Sequence, residues 1–117
     1  MNREEIRARI AEIGIIPAVR LYSAADAMFA AEAICGAGIP IVEVTTTVPG
    51  AVDVIRELAR QSPDIIVGAG TLVYADSARR CLDAGAKFLT SDGLDPDTVK
   101  FAVKEDVVMI PGSLTPT

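Results

Sequence analysis

The sequence predicts an α/β domain built on a parallel sheet. Three observations carry this. Short β-branched runs alternate with stretches of helical period, roughly every two dozen residues. Half of the 117 residues are hydrophobic but only 4% are aromatic, and the apolar share is mostly Ala, Ile and Val, which suits helices packed on β-branched strands. Each strand-like run also ends in polar residues or glycine, at the same end of every unit.

The elements follow in order. Met1 to Ile13 reads as a leading helix, with an Ile6, Ile10, Ile13 stripe amid charged residues and Gly14 as its stop. Ile15 to Leu21 is an apolar extended run broken by Pro17 and Arg20. Ser23 is an N-cap for a helix from Ala24 to about Cys35, closed by Gly36 and Gly38. Ile39 to Thr47 is the second strand, with Glu43 inside it. Pro49 suits a first helical turn, and Ala51 to Arg60 follows with Val52, Ile55 and Leu58 as its apolar face, ended by Pro63. Asp64 to Thr71, Lys87 to Ser91 and Val107 to Pro111 are the next strands. Ala75 to Ala84 and Pro96 to Glu105 are the crossover helices between them.

Composition removes several function classes. A net charge of −5 repels phosphate backbones, so neither nucleic acid nor an anionic membrane is an expected partner. No apolar run approaches the roughly 18 residues of a membrane span, and no secretion signal opens the chain, so the expected compartment is the cytoplasm. With no histidine, His-based nucleophile activation and nearly all familiar zinc sites are absent. Cys35 and Cys81 are far apart in sequence and read as small buried hydrophobes. Any chemistry falls to carboxylates, hydroxyls, Arg or Lys.

Two architectures fit five such strands. An open doubly wound sheet closes at this length. A (β/α)8 barrel needs at least about 200 residues, so the chain would cover only a portion of it. Length favours the open sheet, but polar groups at every strand end favour the barrel. Those ends present Arg20; Glu43 with Thr45 to Thr47; Gly68-Ala69-Gly70-Thr71; Thr90 to Asp92; and Pro111 to Ser113. Glu43 is the most informative, because a carboxylate in a buried strand costs several kcal/mol unless paired or protonated. It is either a general acid–base with a raised pKa or the ion-pair partner of Arg20. Arg20 could equally clamp a substrate carboxylate or phosphate. Thr71 could bond a substrate or cap the next helix. The glycines allow close backbone approach, but lack the spacing of a dinucleotide site and the lysine of a phosphate loop.

Four blocks then resemble a known family. Ile16-Pro17-Ala18-Val19-Arg20, Val42-Glu43-Val44-Thr45, Val67-Gly68-Ala69-Gly70-Thr71 and Ile110-Pro111-Gly112 with Thr115-Pro116-Thr117 stand in the order and spacing of 2-keto-3-deoxy-6-phosphogluconate (KDPG) and 4-hydroxy-2-oxoglutarate (KHG) aldolases. The resemblance implies an α/β (β/α)8 TIM barrel, of which residues 1–117 are a leading helix and about five units, in a homo-oligomer, usually a trimer. It implies a lyase that cleaves a 2-keto-4-hydroxy acid to pyruvate and an aldehyde through a lysine Schiff base, with a small keto acid as partner and no cofactor or metal. Glu43 would be the catalytic carboxylate that shuttles protons. Arg20 and Thr71 would hold the substrate's carboxylate, while Pro111 and Gly112 line the pocket by backbone.

The chain also departs from the family. Thr47 stands where many members have an arginine; a subset carries Thr-Val-Pro there, as in Thr47-Val48-Pro49, and Thr47 is the corresponding substrate-binding candidate. The family's Ser-Pro-Gly is Ser91-Asp92-Gly93 here, which adds a negative charge near an anionic substrate. The Schiff-base lysine belongs to a sixth strand, expected beyond Thr117. Lys87 starts the fourth strand at its N-terminal rim, and Lys100 and Lys104 share a solvent-facing helix side. The chain alone is therefore expected to be inactive. The competing readings are a non-catalytic partial barrel that buries its open edges against a partner, and an unrelated open-sheet domain for a small ligand.

Overall fold

The computed structural model describes residues 1–72 and 75–117. Helix α1 (Arg3–Ile13) leads, followed by β1 (Ala18–Val19), α2 (Ala24–Gly36), β2 (Ile41–Thr45) and α3 (Ala51–Gln61). Then come β3 (Ile66–Gly70), α4 (Ala75–Asp83), β4 (Phe88–Ser91), α5 (Pro96–Lys104) and β5 (Val108–Pro111). The strands form one sheet in the order β1-β2-β3-β4-β5, and every pair is parallel. A doubly wound sheet reverses its strand order at a switch point. This one never does, so the open-sheet reading is set aside. Right-handed crossovers in one direction place successive helices on one side.

That side holds the larger core. Val42, Val44, Val67, Ala69 and Leu89 point to it and pack with Ala27, Ala31, Val54, Ile55, Leu58, Ala78, Cys81 and Ala102. The opposite face carries a second cluster, in which Ile41, Ile66 and Phe88 meet Ile6 of α1, with Ile10, Ile13 and Val108 against it. These are the first inward residues of β2, β3, β4 and β5. The leading helix therefore plugs the N-terminal end of the inner face, and the C-terminal end of that face is left to the polar residues.

Local signals explain most boundaries. The Asn2, Ser23 and Asp95 side chains accept from the backbone N–H three residues on, capping α1, α2 and α5. Gly14 ends α1 at φ 84°. Three expectations are corrected. The first strand shrinks from the expected Ile15–Leu21 run to Ala18–Val19, because it is an edge paired with β2 alone and Pro17 brings no N–H. Pro49 lies in a turn rather than in the first helical turn; Gly50, at φ 71°, is the N-cap of α3. The buried face of α3 is Ala51, Val54, Ile55 and Leu58, with Val52 only half-buried at its margin.

Candidate active site

Glu43 sits in β2 between two fully buried valines, Val42 and Val44, but alternation turns it to the inner face with Ile41. Its register partners are Ala18 and Gly68. The side chain runs up the face and ends over Gly70, where a Cβ would collide with its carboxyl oxygen. Gly68 makes room in the same way in the layer below, since a Cβ there would enter the Phe88 ring. The two glycines of the Gly68-Ala69-Gly70 run thus give up volume to Phe88 and to the carboxylate.

Burial, the largest influence, pushes the Glu43 carboxyl above its ordinary value. The Thr90 hydroxyl and the Arg20 charge pull it back, and Asp92 pushes it up further. Arg20 does not pair with Glu43: no Glu43 ion pair occurs among the described residues. Arg20 Nη2 instead donates to Thr71 Oγ1 at 3.2 Å. The two substrate-binding candidates Arg20 and Thr71 therefore stand together, with the Arg20 charge felt by Glu43 across the mouth of the site.

Thr71 is held in an uncommon conformation. Its φ is 60°, the left-handed region that a β-branched residue rarely enters. Its neighbours account for it. Thr46 Oγ1 donates to the Thr71 carbonyl at 2.9 Å, and the Thr46 N–H donates to the Gly70 carbonyl at 2.9 Å. Thr45 closes β2 as expected, while Thr46 and Thr47, expected to continue the strand, form a turn tied back by hydrogen bonds. Thr45 Oγ1 donates to the Val19 carbonyl at 3.4 Å and shares a 2.9 Å hydrogen bond with Thr47 Oγ1. Thr47 itself is exposed beyond the end of β2.

The remaining candidates lie at the end of β5, three strands from Glu43. The Gly112 N–H donates to the Ser91 carbonyl at 2.8 Å, extending the β4–β5 pairing past Pro111. Pro111 is exposed, and alternation sets it on the opposite side of β5 from Val108 and Ile110. The three lysines are all exposed: Lys87 before β4, Lys100 and Lys104 on α5. Among the described residues no cluster of His, Cys, Asp or Glu could hold a metal ion. In the sequence both Thr90 and Thr46 stand at the rim without a role of their own. A threonine in a strand reads as β-propensity; the one usable signal was parity, since Thr90 is two residues after Phe88 and shares its face.

Sequential parallel order, a helix-plugged N-terminal end and a polar C-terminal rim define a β/α-barrel chain whose central ionisable group is a carboxylate. The comparisons make this specific: the chain belongs to the KDPG and KHG aldolase family, whose model matches residues 6–117. It is 34% identical over 101 residues to the KHG/KDPG aldolase of Escherichia coli (strain K12), covering 86% of this chain and 47% of that protein. It is 29% identical over 113 residues to the 2-dehydro-3-deoxy-phosphogluconate aldolase of Haemophilus influenzae, covering 97% and 53%. Among solved structures, the KDPG aldolase of Legionella pneumophila, with pyruvate captured as a covalent carbinolamine, superposes with a TM-score of 0.78 at 31% identity over 86% of this chain and 48% of that one. The Zymomonas mobilis KDPG aldolase with 3-phosphoglycerate gives 0.74 at 33% identity, over 82% and 46%. The chain thus spans about half the length of the curated relatives it matches.

Proposed function

We propose that the protein is a class I aldolase that cleaves a 2-keto-4-hydroxy acid, such as KDPG or KHG, to pyruvate and an aldehyde. The supporting observation is Glu43: a half-buried carboxyl on the inner face, raised by burial and unpaired by Arg20. A carboxyl moved toward neutrality can accept a proton and return it. In this reading the substrate's keto carbon is bound as a Schiff base to a lysine amine. Glu43 takes the proton of the C4 hydroxyl as the C3–C4 bond breaks. The aldehyde leaves, and the bonding pair remains on C3 as an enamine. Glu43 returns the proton to C3, and water releases pyruvate from the lysine.

The Arg20–Thr71 pair binds the substrate's carboxylate, with Thr47 and the Pro111–Gly112 backbone at the edges of the pocket. Lys87, Lys100 and Lys104 all lie away from Glu43 on exposed surface, so the Schiff-base amine is assigned outside this chain's own lysines. The protein works as a homo-oligomer in the cytoplasm, a reading supported by its family and by two free cysteines.

The test is pyruvate release from KDPG and from KHG by the product of the full reading frame, followed by a coupled dehydrogenase. Borohydride is added with pyruvate to trap the lysine for mass spectrometry. Release together with a trapped lysine is expected. No release from KDPG or from KHG, together with no trapped lysine, refutes the aldolase reading. Glu43→Gln is expected to abolish release while leaving circular dichroism unchanged, and near-normal turnover in that variant removes the role given to Glu43.

A further inference from the structure

Three polar side chains act on the Glu43 carboxyl. Arg20 comes from the end of β1 and is engaged with Thr71. Asp92 comes from beyond β4. The third, Thr90, has no role in the proton transfers proposed for Glu43. Thr90 shares the inner face of β4 with Phe88, and the register Gly68–Phe88, Ala69–Leu89 continues to set it beside Gly70. Glu43 reaches Gly70 from β2, on the other side. Glu43 Oε1 and Thr90 Oγ1 both crowd the point where a Gly70 Cβ would stand. The strand between them has no side chain there, so a carboxylate on β2 and a hydroxyl on β4 meet across it. An ionised carboxylate only accepts hydrogen bonds, and a hydroxyl can donate one. The end of β4 is tied in place as well, because the Leu72 N–H donates to the Thr90 carbonyl at 3.3 Å.

We infer that Thr90 is a positioning residue for Glu43: its hydroxyl donates to the carboxylate and holds it over Gly70. The inference rests on the proton-transfer role proposed for Glu43, and it concerns how that carboxyl is aimed and kept ionisable. Burial and the like charge of Asp92 favour the neutral acid, while Thr90 and Arg20 favour the anion. Thr90 supplies its share from a neutral group, so it does so without drawing the substrate's carboxylate away from Arg20.

The experiment is a titration of the Glu43 carboxyl by NMR in protein carrying 13C-labelled glutamate, with the resonance assigned by its loss in Glu43→Gln. Thr90→Val keeps the shape and removes the donor. Its Glu43 midpoint is expected to move up, and that of Thr90→Ser to return toward the parent. In the pyruvate-release assay the acid limb of the kcat/KM profile is expected to move the same way. Should the valine variant not fold, Thr90→Ala reads the same titration. An unchanged Glu43 midpoint in a folded variant without the hydroxyl overturns the inference. If Glu43→Gln retains turnover while Thr90→Val still shifts the midpoint, the catalytic reading fails and the Thr90–Glu43 contact stands. If Glu43→Gln is inactive and Thr90→Val is unshifted, only the positioning role is lost.

Discussion

Glu43 weakens the fold it serves. Its pKa is raised in the folded chain, so between the unfolded and folded values the native state holds the extra proton. Stability therefore falls as pH rises through that window, and the penalty is complete above the folded pKa. Glu43→Gln is expected to raise the urea midpoint at pH 7, and the gain should vanish well below pH ~4, where both states are protonated. Equal midpoint gains at the two pH values would count against a raised carboxyl. Gly70 is the complementary residue. Gly70→Ala puts a methyl group where the Glu43 carboxyl and Thr90 hydroxyl lie. Under the proton-transfer role proposed for Glu43, displacing its carboxylate is expected to cost about 10²-fold in pyruvate release, measured alongside an unfolding curve that separates lost aim from lost fold. Glu43 was legible because a charged residue in a β-branched run demands a reason. Thr90 and Thr46 were not, because hydroxyls in strands are common and only the register shows what they face.

At the scale of elements, capping and periodicity were readable and strand lengths were not. Ser23 was identified as an N-cap from its place before an alanine-rich run, and its Oγ accepts the Asp26 N–H at 3.1 Å. Ser23→Ala is expected to cost about 1 kcal/mol, seen as a lower denaturation midpoint with an unchanged m-value. The strands came out shorter than their apolar runs because a parallel strand extends only as far as its neighbours pair with it. The first run lost most, lying at an edge and interrupted by Pro17. On α3 the expected Ile55 and Leu58 are buried, but Ala51 and Val54 take the place expected for Val52. Val52 and Val54 are equally apolar, and only the placing of the helix against β2 and β3 decides which is buried.

At the scale of the molecule, the two cores divide the work. The helix-side core carries the architecture, and the smaller inner cluster sets how much of the inner face is left for chemistry. Phe88 is fully buried in that cluster, against Ile6, Ile41 and Ile66, with its ring in the space that Gly68 leaves open. Phe88→Ala is expected to destabilise the chain by about 3–5 kcal/mol, as read from urea unfolding. It is also expected to loosen α1, visible as faster amide exchange at Ile6 and Ile10. The α/β class, the unit repeat, the family blocks and the place of Glu43 inside the second strand followed from residue order alone, because periodicity, caps and an out-of-place charge are local properties of a chain. The sequential strand order, the α1 plug, the separation of Arg20 from Glu43 and the meeting of Glu43 with Thr90 over Gly70 required the folded sheet. Each depends on which strand lies beside which and on the register between them, and those are set by packing between residues distant in the chain.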